Sequence, residues 1–233
     1  MGTHRQGQAQ ALQSVVRALG ELAEEFVFVG GAVAGLLMTD SAVSDVRYTL
    51  DLDVIVRVAT RVEFYGLQER LRAKGFREDA EGGVICRWRR DDIVLDVMPT
   101  DAGVLGFSNR WYADAVAAAE TCRLEDGTRL RHVNGVFFLA TKLEALHGRG
   151  EGRYMESRDM EDIVALLDGR ETIVEEVAAS KADVRRYLAG EMSRLMEHDR
   201  KYGLLSGHLP GDAASQQRIP IILERMRSIA AQG

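Results

Sequence analysis

The chain has 233 residues, a mass of 25.8 kDa and a formal net charge of −6. With 46% apolar and 28% charged residues it has the make-up of an ordinary globular protein, long enough for one large domain or two small ones. The acidic balance argues against a surface that coats nucleic acid broadly, although a local basic cleft is compatible with it, and no apolar run reaches the length of a bilayer span.

Residues 9–24 carry Leu12, Val15, Val16, Leu19, Leu22 and Ala23 at helical spacing and predict an amphipathic opening helix. The run Phe26-Val27-Phe28-Val29 reads as a buried strand, Gly30-Gly31 ends it, and a small-residue helix is expected over 32–38. A second β-branched run carries Asp51 and Asp53 and ends near Arg57. Thr60 is placed to N-cap a helix through Leu67 and Leu71, which Gly75 terminates. Beyond a turn at Glu81-Gly82-Gly83, the runs 84–88 and 93–98 predict a hairpin with Arg90-Asp91-Asp92 as its loop, and Pro99 stops the second strand. A polar-aromatic stretch from Gly106 to Tyr112 leads into an alanine-rich helix, followed by short strands near 121–124 and 129–133. From Val136 onward the pattern is helical: 137–147, a flexible break at Gly148 to Gly152, then 158–167, 171–179, 181–198 and 215–231. This change predicts two domains, residues 1–135 and a helical 136–233.

The chemistry starts with Asp51 and Asp53. Side chains alternate along a strand, so the two carboxylates project from one face, a few ångströms apart. Like charges held that close are most often explained by a divalent cation. Asp96 lies inside the apolar run IVLDVM, where a charge costs several kcal/mol unless something compensates it. If its strand lies beside that of Asp51 and Asp53, three carboxylates meet on one sheet and suit one or two Mg²⁺ ions. The bland reading is that each aspartate ends a strand and faces solvent; for Asp51 alone it would prevail.

Gly30-Gly31, then Asp51-Leu52-Asp53, then Asp96 between apolar neighbours resembles the nucleotidyltransferase superfamily of the DNA polymerase β type. Lys142 within FLATKLEAL, a Gly/Arg loop, and Arg158-Asp159-Met160-Glu161-Asp162 are similar to the AbiEii-type toxin nucleotidyltransferases. The resemblance covers about residues 25–170. It implies an α+β nucleotidyltransferase core, a mixed, mostly antiparallel twisted sheet flanked by helices, followed by a C-terminal helical bundle. It also implies a Mg²⁺-dependent enzyme of the EC 2.7.7 type, moving a nucleoside monophosphate from an NTP to a hydroxyl, with tRNA or another RNA as the expected acceptor. Asp51, Asp53 and Asp96 would hold the metal, and Asp96 would also activate the hydroxyl. Gly30 and Gly31 would admit the triphosphate, and Lys142 would meet the β- and γ-phosphates. Arg158, Asp159 and Asp162 would belong to the nucleotide site, the aspartates orienting Lys142 or Arg158 rather than binding metal. A cognate antitoxin is the implied partner. Two departures stand out: residues 39–48 must be an inserted loop, and Gly-Gly replaces the Gly-Ser of many relatives.

Each of these residues also has a structural reading. Lys142 lies beside the stripe Leu139, Leu143, Leu146 and fits a solvated helix face as well. Asp159 and Asp162 fit a helix start favoured by the macrodipole. Asn109 to Tyr112 would line a nucleotide pocket or, more commonly for a Trp-Tyr pair, pack in the core. Arg149, Arg153 and Arg158 would meet RNA phosphates or form a solvated loop. Gly148 to Gly152 lacks the ending of a phosphate-binding P-loop, GGAVAG departs from the dinucleotide-binding G-x-G-x-x-G, and the five histidines lack metal-site spacing. Cys86 and Cys122 stand alone, and the opening MGTHRQGQAQ has no signal-peptide pattern, so a cytoplasmic location with reduced thiols and no membrane partner is expected. The alternatives are transfer to a protein or small molecule, or a catalytically silent nucleotide-binding or interaction module on the same fold.

Overall fold

The amphipathic opening segment folds as α1 (Thr3–Leu19) in a computed structural model that describes residues 3–40, 47–79, 84–148 and 154–233. Its end tightens into a 3-10 turn, Gly20–Glu25, so the helix expected to reach residue 24 stops earlier. Gly20 sits at φ 60°, a left-handed conformation suited to stopping a helix. The apolar run follows as β1 (Phe26–Val29), buried at every position, then α2 (Gly31–Leu37) and β2 (Asp51–Val56). Thr60 caps α3 (Arg61–Ala73) with a complete capping box, its hydroxyl accepting from the Glu63 amide while Glu63 accepts from the Thr60 amide.

β3 (Arg77–Glu78), β4 (Arg87–Arg90) and β5 (Ile93–Pro99) complete one half of the sheet. After α4 (Ala102–Leu105) and α5 (Tyr112–Ala117), β6 (Glu120–Arg123) and β7 (Arg129–His132) complete the other. The seven strands run in the order β3-β4-β5-β2-β1-β7-β6. The β5–β2 and β1–β7 neighbours are parallel, and the other neighbours are antiparallel. β1 and β2 therefore occupy the middle of the sheet, where an apolar side chain is covered from both faces. Phe26, Phe28, Val54, Ile55, Leu95 and Val97 are fully buried there.

The hairpin forms with a later first strand and a loop one residue shorter than expected. Its strand starts at Arg87 rather than 84, and its loop is Asp91-Asp92, with Arg90 opposite Ile93. Asp91 adopts φ 52°, which Asp tolerates and two-residue hairpin loops require. The turn expected at residues 81–83 lies outside the described residues, as do residues 41–46 of the expected inserted loop and 149–152 of the expected break.

By chain contacts the protein divides into two compact units, Met1–Gly35 with Arg47–Asn134, and Leu36–Val46 with Gly135–Gly233. The second is helical: α6 (Gly135–Gly148), α7 (Arg158–Gly169), α8 (Ile173–Ala179), α9 (Ala182–Tyr202), short α10 (Leu204–His208) and α11 (Ala213–Gln216), and α12 (Ile219–Ala230). α6 packs on α7 and α9, and α12 on α7, α8 and α9, burying Leu139, Leu143, Ile163, Leu188, Met192 and Met226. Among the described residues no helix is long and apolar enough to cross a membrane.

Candidate active site

The first unit brings three of the singled-out aspartates onto neighbouring strands. β2 opens with Asp51 and Asp53 half-exposed and Leu52 buried between them, the alternation expected of a strand with one open face. Asp53 lies opposite Val29 of β1 on one side and opposite Asp96 of β5 on the other. Partners directly opposite in a sheet share a face, so Asp51, Asp53 and Asp96 project the same way. Asp96 is nearly buried, with 8% of its surface exposed.

Gly30 follows β1 and turns the chain at φ 71°. A Cβ built there would lie 2.2 Å from Asp53 Oδ2 and 3.1 Å from its Cγ. Only glycine satisfies both conditions, since a side chain would be strained by the dihedral and would collide with the carboxylate. Gly31 begins α2 directly beyond it, and the Val33 amide donates to the Gly30 carbonyl.

Arg87 is the residue that the sequence reading passed over. Its position on β4 faces Asp96 across the antiparallel pair. The guanidinium grips Asp96 with two hydrogen bonds, Nε to Oδ1 and Nη2 to Oδ2, both 2.8 Å. Nη2 also donates to Asp51 Oδ2 at 3.0 Å. The Asp96 hydrogen bond is the main cause that holds the guanidinium pKa above its ordinary value, and the charge of Asp51 adds to it. The signal was available: with a two-residue loop at 91–92, Arg87 pairs with Asp96, whereas a three-residue loop would have paired Cys86 with it. Cys86, just before β4, is buried, and its thiol is pushed up to about 11, by burial first and then by the charges of Asp96 and Asp53.

The donor set is chemically suited to a hard divalent cation, with three carboxylates from adjacent strands and a glycine that leaves room beside Asp53. As the side chains stand, among the described residues no three His, Cys, Asp or Glu form a group that could hold a metal ion. Arg87 bridges Asp51 and Asp96 in that space, supplying the positive charge that the buried carboxylate needs.

The second unit assembles the other candidates. Ser157 caps α7 through the Met160 amide, which places Asp159 in the first turn, where the helix dipole favours it. Asp159 and Asp162, three residues apart, share a face. Lys142 of α6 donates to Asp159 Oδ1 at 3.0 Å, and its ammonium lies 2.6 Å from Asp162 Oδ2. Both carboxylates are buried, at 2% and 1% exposure, and Lys142 is held between them rather than on a solvated face. Arg158 is exposed at the start of α7.

The aromatic stretch packs rather than opening a pocket at Trp111. Asn109 Oδ1 accepts from the Trp111 amide, Trp111 is buried, and the Arg110 guanidinium lies 4.7 Å from its ring centroid. The Tyr112 hydroxyl points at Met98 Sδ, 3.1 Å away. Of the expected basic cluster, Arg149 and Arg153 lie outside the described residues.

No family model matches the chain, and no curated protein matches it either. Among solved structures the chain is similar to an antigenic nucleotidyltransferase-like protein from Paracoccidioides brasiliensis. The TM-score is 0.51 at 17% sequence identity, covering 86% of this chain and 91% of that one. At that identity the likeness shows the fold, a nucleotidyltransferase-like fold, in agreement with the α+β architecture expected from sequence.

Proposed function

We propose that the chain is a nucleotidyltransferase that moves a nucleoside monophosphate from an NTP to an acceptor hydroxyl. The observation that carries this reading is the pairing of Asp53 with Asp96 across the parallel β2–β5 neighbours, with Asp51 two residues away on the same face and Gly30 closed against Asp53. Asp51, Asp53 and Asp96 would hold Mg²⁺, one ion or two. When bound, the ion would offset phosphate charge and lower the pKa of a coordinated hydroxyl.

The chain's own residues have the remaining work. Gly30, lacking a Cβ, would let phosphate oxygens approach the β1–α2 turn, and Gly31 continues that backbone surface. Asp96 would face the acceptor hydroxyl and draw off its proton. The acceptor oxygen then bonds to the α-phosphorus as the bond to the bridging oxygen breaks and pyrophosphate departs. Asp159 and Asp162 fix the Lys142 ammonium in one place within the helical unit; a phosphate contact for it rests on the sequence resemblance alone. Arg158 is exposed at the start of α7, and a nucleotide contact for it rests on the same resemblance. An RNA acceptor such as tRNA, and a toxin paired with an antitoxin, rest on the sequence resemblance alone.

Incubation with each labelled NTP, Mg²⁺ and total RNA tests the reading. Wild type is expected to label RNA and Asp53→Ala to lose that label by at least about a hundredfold, the scale of losing a charge-stabilising group. Label in protein or a small molecule would move the acceptor and keep the chemistry. No label anywhere, from protein that remains folded, would favour a silent module, a reading to which the bridging of Asp51 and Asp96 by Arg87 lends support.

A further inference from the structure

We propose that Arg87 is a built-in counter-ion that competes with a divalent cation for Asp51 and Asp96; the inference rests on the metal site proposed above. Three observations carry it. The guanidinium takes Asp96 Oδ1 through Nε at 2.8 Å, and its Nη2 is shared between Asp96 Oδ2 at 2.8 Å and Asp51 Oδ2 at 3.0 Å. Those are the oxygens that, with Asp53, would have to close on an ion, and as placed they form no such group. Arg87 reaches them from a fixed position, because its β4 register partner is Asp96 itself.

Charge sets the direction of the effect. Three carboxylates and one guanidinium leave two net negative charges, which one divalent cation neutralises and a second would overshoot. An arginine stays protonated at every physiological pH, so the guanidinium does not leave by losing its own charge. A competing cation for the carboxylates, or an anion that draws the guanidinium off, exchanges with it. Its side chain is 18% exposed, so the ion pair is not sealed from solvent and dissolved ions. The fork also does something a metal does not: it satisfies a nearly buried Asp96 before any ion arrives, which an unpaired carboxylate there would make costly. Arg87 is therefore a positioning residue for the folded site and a competitor for its cation at once.

Mn²⁺ binding to the full chain, read by loss of the free-ion paramagnetic resonance signal, tests the competition without any turnover. The proteins are wild type, Arg87→Met, Arg87→Lys and Asp53→Asn, each checked by circular dichroism. Arg87→Met is expected to bind Mn²⁺ about tenfold more tightly than wild type, the scale of removing one unit charge a few ångströms away in a partly wet site. Arg87→Lys, which keeps the charge and loses the fork, is expected to fall between them and serves as the reading if Arg87→Met does not fold. Affinity unchanged or weakened in a folded Arg87 variant, with Asp53→Asn abolishing binding, overturns the competition and leaves the metal site standing. Binding by no protein at all overturns both. Binding seen only in the Arg87 variants supports the competition in its strongest form.

Discussion

At the scale of single residues, Gly30 and Cys86 each convert geometry into a measurable consequence. Gly30→Ala puts a methyl group within 2.2 Å of Asp53 Oδ2 at a backbone dihedral of 71°, so the carboxylate must turn away. The expected loss is about 1–3 kcal/mol of stability from the strained conformation, together with most of the transfer activity. Urea melts and the labelling assay measure the two, and an unchanged melt would show that the turn has room to relax. Cys86 responds to the charges around it. Its thiol is raised from 9.0 to about 11, so the folded chain holds that proton more tightly than the unfolded one. That contribution to stability is complete below about pH 9 and is lost as pH rises toward 11, because the unfolded chain then gives up the proton first. Asp96→Asn removes one of the raising charges, so iodoacetamide should modify Cys86 faster at pH 8 in that variant than in wild type.

At the scale of elements, the two candidate clusters differ in how they are built. The first depends on strand register. Parallel pairing sets Asp53 beside Asp96, and the two-residue loop at 91–92 sets Arg87 opposite Asp96. One more residue in that loop would exchange Arg87 for Cys86 and leave the buried carboxylate without its fork. The second depends on helix pairing, with Lys142 brought by α6 to Asp159 and Asp162 on α7. Lys142→Met leaves two buried carboxylates without their cation and is expected to cost about 3–5 kcal/mol. In the triple variant Lys142→Met, Asp159→Asn, Asp162→Asn much of that loss should return, while transfer activity should not. Full stability in Lys142→Met alone would show that the ammonium contributes nothing to the α6–α7 pairing.

At the scale of the whole molecule, the second unit incorporates residues distant in sequence. Leu37 to Asp40 are tied to the end of α7: the Thr39 and Asp40 amides donate to the Gly169 carbonyl, and Arg170 donates to the Leu37 carbonyl. Arg218 then joins Asp40 and Asp168, at 2.6 Å each. Asp168 is buried, so Arg218→Ala is expected to lower the stability of the helical unit by about 3 kcal/mol, read as an earlier urea transition. Asp168→Asn in the same background should recover part of it, because the stranded charge is then gone.

The central strands, the α3 cap and the aspartates were legible in the sequence because they rest on local rules, whereas β3, α4 and α10 were not expected. Apolar runs of four to seven residues gave the central strands, Thr60 and Glu63 their capping box, and Gly30 its turn. The two-residue period alone put Asp51 and Asp53 on one face. Pairing is different, since nothing within a strand states which neighbour it takes or in which register. Only the tertiary structure decided that β5 lies beside β2, that Asp53 faces Asp96, and that Arg87 closes on both Asp51 and Asp96. It also decided that Lys142 is buried against Asp159 and Asp162, a choice that depends on the approach of a second helix and that helical spacing leaves open. A charge reads its surroundings through space, over a few ångströms, and those ångströms are set by residues far away along the chain.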